Sequence, residues 1–145
     1  MARYVATLET PRAPEDVFAY LSDFSTTQEW DPGVAEAERL DDGPIAVGSR
    51  FDVVADFMGR KTPLTYAVVA FDAPHSVTLR GENATVVSLD TITLEPTAAG
   101  GTRVSYDADL TLKGPLGLGD PLLKLVFNRI GDRAVDGLRG TLGAA

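Results

Sequence analysis

The run "TVVSLDTITLEP" (85–96) places a carboxylic acid inside an otherwise β-forming segment. Successive side chains of a strand alternate between faces, so a strand that turns Ile92 and Leu94 inward also turns Asp90, Ser88 and Val86 inward. An inward carboxylate is costly unless hydrogen-bonded, paired or hydrated, and burial raises its pKa, which makes Asp90 a candidate acid or base. A β-bulge between residues 88 and 91 would return it to solvent instead. Both registers are open on the sequence alone. The same counting puts Phe51, Val53, Ala55 and Phe57 on one face and Leu64, Tyr66, Val68 and Ala70 on another. It also places Tyr106 in the apolar row of Val104, Ala108, Leu110 and Leu112, opposite Arg103, Ser105, Asp107 and Asp109. Two tyrosine hydroxyls among apolar walls are either core groups with a protein partner or the few polar contacts of a small-molecule site. In an enzyme, Asp90 would abstract or return a proton while Tyr66 or Tyr106 polarised a carbonyl.

Other chemistries find less support. The one histidine, His75, falls in "DAPHSV" (72–77), a hairpin connection, with no cysteine or Gly-x-Ser-x-Gly elbow to give it a nucleophile. Zero cysteines remove disulfides and thiolate metal sites, and the acids lack calcium-loop spacing, so neither metal nor cofactor is expected. "GPLGLGDPLLK" (114–124) has the form of a phosphate cradle, but Asp120 would put a carboxylate where the phosphate should lie and Pro121 removes a donor. A flexible lead into a helix is the plainer reading. A net charge of −8 opposes a phosphate backbone, so no nucleic-acid partner is expected.

The elements that must position these residues are legible in outline. At 145 residues, 44% hydrophobic and 23% charged, the chain has the length and composition of one domain spanning 1–145. No stretch approaches the roughly 18 apolar residues of a membrane span, so no integral membrane association is expected. The N-terminus runs straight into an alternating strand (3–9) without a secretory h-region, and a cytoplasmic location is the default. After Pro11 and Pro14, "PEDVFAYLSDF" (14–24) carries a helical face at Val17, Phe18, Leu21 and Phe24, and residues 23–30 add a short turn. "EWDPGV" (29–34) holds the only tryptophan, Trp30, beside a Pro-Gly turn, at the rim of whatever the fold encloses. Val34–Leu40 and at least five runs between 49 and 112 follow, joined by short connections that suit antiparallel hairpins. The last element is a helix from Asp120-Pro121 to about Arg139, with an apolar stripe at Leu123, Phe127, Ile130, Ala134 and Leu138. A curved antiparallel sheet gripping that helix is the natural α+β arrangement, and a bent sheet against a straight helix leaves room for a cavity.

That element order and the phrases at 13–34, 47–54, 64–81 and 100–118 resemble the SRPBCC or START-like (Bet v 1-like) superfamily, in its polyketide cyclase/dehydrase-like branch. The resemblance implies a helix-grip fold: about seven curved strands around a long C-terminal helix, with two short helices after strand 1. It also implies a deep apolar cavity for lipids, polyketides or other hydrophobic molecules, with Trp30 beside its mouth. On that basis the expected lining is Trp30, Phe51, Phe57, Tyr66, Asp90, Tyr106, Phe127 and Ile130, and the expected partner is a hydrophobic small molecule. The alternative is a cyclase or dehydratase that transfers protons through Asp90, Tyr66 and Tyr106. A homodimer through the exposed sheet has no sequence feature of its own.

Overall fold

The computed structural model describes residues 2–57, 59–113 and 121–143; the side chains of Phe57 and of residues 121–123 lie outside the description. Strand β1 (Ala2–Thr10) buries every second residue in outline, as its alternation dictates, and ends before Pro11. Helix α1 (Pro14–Ser22) starts with proline at its first position and acids Glu15 and Asp16 in its first turn, where they complement the helix dipole. It buries Val17, Phe18 and Leu21. Asp23 then caps a 3-10 turn (Phe24–Thr26) by accepting from the Ser25 amide at 3.0 Å, and α2 (Thr27–Trp30) follows directly.

The strands β2 (Val34–Arg39), β3 (Arg50–Phe57), β4 (Arg60–Asp72), β5 (Ser76–Glu82), β6 (Val86–Pro96) and β7 (Thr102–Leu112) form a meander. Its order is β1-β7-β6-β5-β4-β3-β2, antiparallel throughout. Register shifts at Val34/Glu36 and Val68/Ala70 are bulges that bend the sheet. The second corrects one expectation: Ala70 does not continue the row of Leu64, Tyr66 and Val68 but is exposed, and Phe71 turns inward to meet Phe18 edge-on at 5.3 Å.

Helix α3 (Pro121–Leu142) begins at the expected proline; the Gly-rich lead and Asp120 lie outside the described residues. It runs about one turn beyond Arg139 and buries Val135, Leu138 and Leu142. Thr10 explains the extension, because its hydroxyl donates to the Leu142 carbonyl at 2.7 Å, satisfying one of the acceptors a helix end leaves open. Gly143, at φ 66°, then takes the left-handed conformation that ends the helix. Two glycines set how closely α3 lies: Gly131 leaves room for the Tyr4 ring of β1, and Gly137 rests on the Trp30 carbonyl. Among the described residues no helix is long and apolar enough to cross a membrane.

The core is filled unevenly. Under α1 and the 3-10 turn, Phe24 packs against Phe51 at 6.3 Å and Tyr66 at 5.1 Å. Under α3 it is left hollow.

Candidate functional site

The hollow is a cavity of about 160 Å³ between the sheet and α3. Val53, Leu64, Val86, Leu110, Phe127 and Leu138 supply much of its apolar wall. Its polar groups are concentrated on two segments, the middle of the sheet and the Trp30–Gly33 turn.

In the sheet, position and register build a hydrogen-bonded relay. Strand β6 pairs without interruption against β5 from Val87 to Thr93 and against β7 from Val86 to Pro96, so no bulge intervenes and Asp90 faces inward, 8% exposed. Gly81 of β5 lies between Tyr66 and Ser88 in cross-strand register, and a Cβ there would strike the Tyr66 ring. With no side chain in the way, the ring crosses β5 and its hydroxyl donates to Ser88 Oγ at 2.9 Å. Ser88 Oγ donates to Asp90 Oδ1 at 2.9 Å, and the Tyr106 hydroxyl donates to Oδ2 at 2.6 Å. Ala108, opposite Asp90 on β7, has no bulk to cover the carboxylate. Each hydroxyl has one hydrogen, so with Asp90 ionised all three are spent inside the relay, which then offers a ligand only lone pairs.

Asp31, which sequence reasoning passed over beside Trp30, is a second cavity carboxylate. Its Oδ1 accepts the Gly33 amide at 2.8 Å, an Asx turn that also fixes the chain's path into β2. Trp30 is 5% exposed and meets Tyr106 edge-on at 6.0 Å; its Nε1 is buried without a hydrogen-bond partner. The signal for Asp31 was its place next to the tryptophan in the turn. Tyr4, also in the lining, lies in the alternating N-terminal strand; its hydroxyl donates to Asp132 of α3 at 2.6 Å.

Burial is the main cause that pushes the Asp90 carboxyl up to about 6; the bonds from Tyr106 and Ser88 pull against it, and the charge of Asp31 adds to the rise. Burial likewise raises Asp31 to about 6, opposed by the Gly33 amide. No cation contributes to either. Burial and the Asp90 charge raise Tyr66 and Tyr106, which stay protonated donors at neutral pH. A carboxyl raised on folding stabilises the native state when protonated: its contribution is full below the ordinary value of 3.8 and is lost as pH rises through about 6. From about pH 8 to about pH 5 each acid should therefore add on the order of 1 kcal/mol to stability. Asp90→Asn is expected to lose about half of the combined gain, measured by urea unfolding at the two pH values. An unchanged gain would mean that Asp90 does not titrate in this window.

Of the residues expected to line the cavity, Trp30, Tyr66, Asp90, Tyr106, Phe127 and Ile130 do so. Phe51 does not: it points inward, but at the filled end of the core, where Phe24 closes over it and leaves it wholly buried. The side chain of Phe57 lies outside the described residues. His75 is exposed in the β4–β5 turn.

A seven-stranded curved antiparallel sheet gripping a C-terminal helix is the START-like, Bet v 1-like helix-grip fold. Known structures share the whole architecture. A START superfamily protein from Mycobacterium smegmatis superposes with a TM-score of 0.80 at 16% identity, covering 99% of this chain and 98% of that one. A protein from Thermus thermophilus gives 0.79 at 19% identity, covering 97% and 96%. An aromatase/cyclase from a Streptomyces species gives 0.77 at 16% identity, covering 97% and 93%. Likeness at these identities is one of fold. The family described as polyketide cyclase / dehydrase and lipid transport matches residues 1–143, and the chain belongs to it. No curated protein sequence matches the chain.

Proposed function

We propose that the protein binds a small apolar molecule in the cavity under α3, with the polar end of the ligand at Asp90 and Tyr106. The observation that carries this reading is an apolar hollow of about 160 Å³ reached by only a few convergent polar groups. An apolar cavity of ~150 Å³ holds one benzene ring, so the ligand is one ring or a short branched chain with a polar substituent. The family description, with its lipid transport and polyketide chemistry, supports an apolar ligand. Native mass spectrometry of the protein after exposure to cell extract tests the reading. A noncovalent adduct on the order of 100–200 Da that vanishes on denaturation is the size such a cavity allows. A bare mass with extract and with a panel of single-ring molecules would refute it.

A second reading, a cyclase or dehydratase type of enzyme, is favoured by one contact: the Tyr106 hydroxyl 2.6 Å from Asp90 Oδ2 inside the cavity. Ionised Asp90 would take a proton from a carbon next to a substrate carbonyl. The protonated carboxyl could then donate to Tyr106, whose own hydrogen would turn to the developing enolate oxygen. On this reading Asp90→Asn lowers turnover of a confirmed substrate by about 10²-fold or more while the substrate still binds. Unchanged turnover would remove the role.

A further inference from the structure

The cavity is unusual in charge. Among its described lining residues are Asp31, Asp56 and Asp90, and no lysine, arginine or histidine. Asp56 is exposed at the β3 end of the cavity, but Asp31 and Asp90 are drawn into it. Neither of the two makes a salt bridge among the described residues. Tyr66, Ser88 and Tyr106 have spent their hydrogens within the relay, and Asp31 is served by a single backbone amide. The inner surface therefore offers lone pairs and negative charge and asks for donors. A buried carboxylate without a cation is costly, and a ligand that brings one repays that cost on binding. Aromatic rings from Trp30, Tyr106 and Phe127 line the same space and favour a cation over their faces. One donor runs the other way: Trp30 Nε1 is buried with no protein partner, and an acceptor atom on a ligand would satisfy it.

Resting on the ligand-binding reading, we propose that the ligand is a cation: a small apolar amine whose ammonium group meets the Asp31 and Asp90 carboxylates and whose body carries an oxygen for Trp30 Nε1. A compact ammonium supplies three donors and a full positive charge, which the relay and the Asx turn lack. A carboxylic acid of the same shape would bring a third negative charge to two that are already uncompensated.

Three near-isosteric probes decide the matter: 2-phenoxyethylamine, 2-phenoxyethanol and phenoxyacetate, each with one ring and one ether oxygen, titrated into the intact protein by calorimetry near neutral pH. The amine should bind at least about tenfold tighter than the alcohol, and phenoxyacetate weakest of the three. In Asp31→Asn and Asp90→Asn the ratio of amine to alcohol affinity should fall at least about fivefold. An alcohol that binds as tightly as the amine overturns the inference and leaves the ligand-binding reading standing. A preference for the amine that survives in both variants overturns the assignment to these carboxylates. If none of the three, nor any neutral single-ring molecule, binds the wild-type chain, the inference and the reading beneath it both fail.

Discussion

Gly137→Ala is expected to destabilise the protein by about 2–3 kcal/mol, the cost of overpacking a close contact. The sign is the informative part, since alanine in a helix interior normally improves on glycine by about 0.5–1 kcal/mol. A Cβ at Gly137 would collide with the backbone carbonyl of Trp30 and lie 3.4 Å from Pro32 Cδ. The obstacle is backbone, which cannot swing aside as a flexible side chain would. Either α3 or the Trp30–Gly33 turn has to move, and both are walls of the cavity. Gly140, one turn along and exposed, has nothing within 4 Å of a Cβ, so Gly140→Ala should stabilise by about 0.5–1 kcal/mol. Urea unfolding of the two variants separates helix propensity from contact. Equal stabilisation by both would mean that α3 stands off the turn and that the cavity is not closed there.

Ala108→Phe is expected to abolish ligand binding, with a loss of at least about tenfold in affinity. Ala108 faces the cavity from β7, between Tyr106 and Leu110 and directly opposite Asp90. The added ring would occupy a space of about 160 Å³, comparable to the ~150 Å³ that holds one benzene. A filled void costs the fold little, because cavity surface is itself a debit in stability. The variant should therefore melt no lower than the wild type while binding nothing. Retained affinity in a folded Ala108→Phe protein would place the ligand elsewhere.

The fold was legible because its signals are local and repeated. The 3.6-residue stripe of Phe127, Ala134 and Leu138 marked the helix face that the sheet grips, whereas the alternation from Val86 to Glu95 left Asp90 open to either face until uninterrupted pairing with β5 and β7 turned it inward. Where the pattern failed, tertiary contacts decided. Ala70 left its row because a bulge after Val68 reset the alternation so that Phe71 could meet Phe18. The helix outran Arg139 because a hydroxyl at the far end of β1, on Thr10, caps Leu142. Phe51 shows the main limit for the site: periodicity tells which residues face inward, but not which part of the interior the helices fill. Asp31 went unread for a different reason. An acid before Pro-Gly looks like turn chemistry, and it is, yet the same Asx turn holds its carboxyl in the cavity wall.

Trp30 provides the most direct test, since it is the only tryptophan in the chain and it lines the cavity. Titrating wild-type protein and Ala108→Phe with 2-phenoxyethanol and 2-phenoxyethylamine while following Trp30 emission reads occupancy at the site itself. A saturable change with one molecule bound per chain for at least one probe, absent in Ala108→Phe, is the expected result. No saturable change with either probe, or the same change in both proteins, would contradict a ligand site under α3.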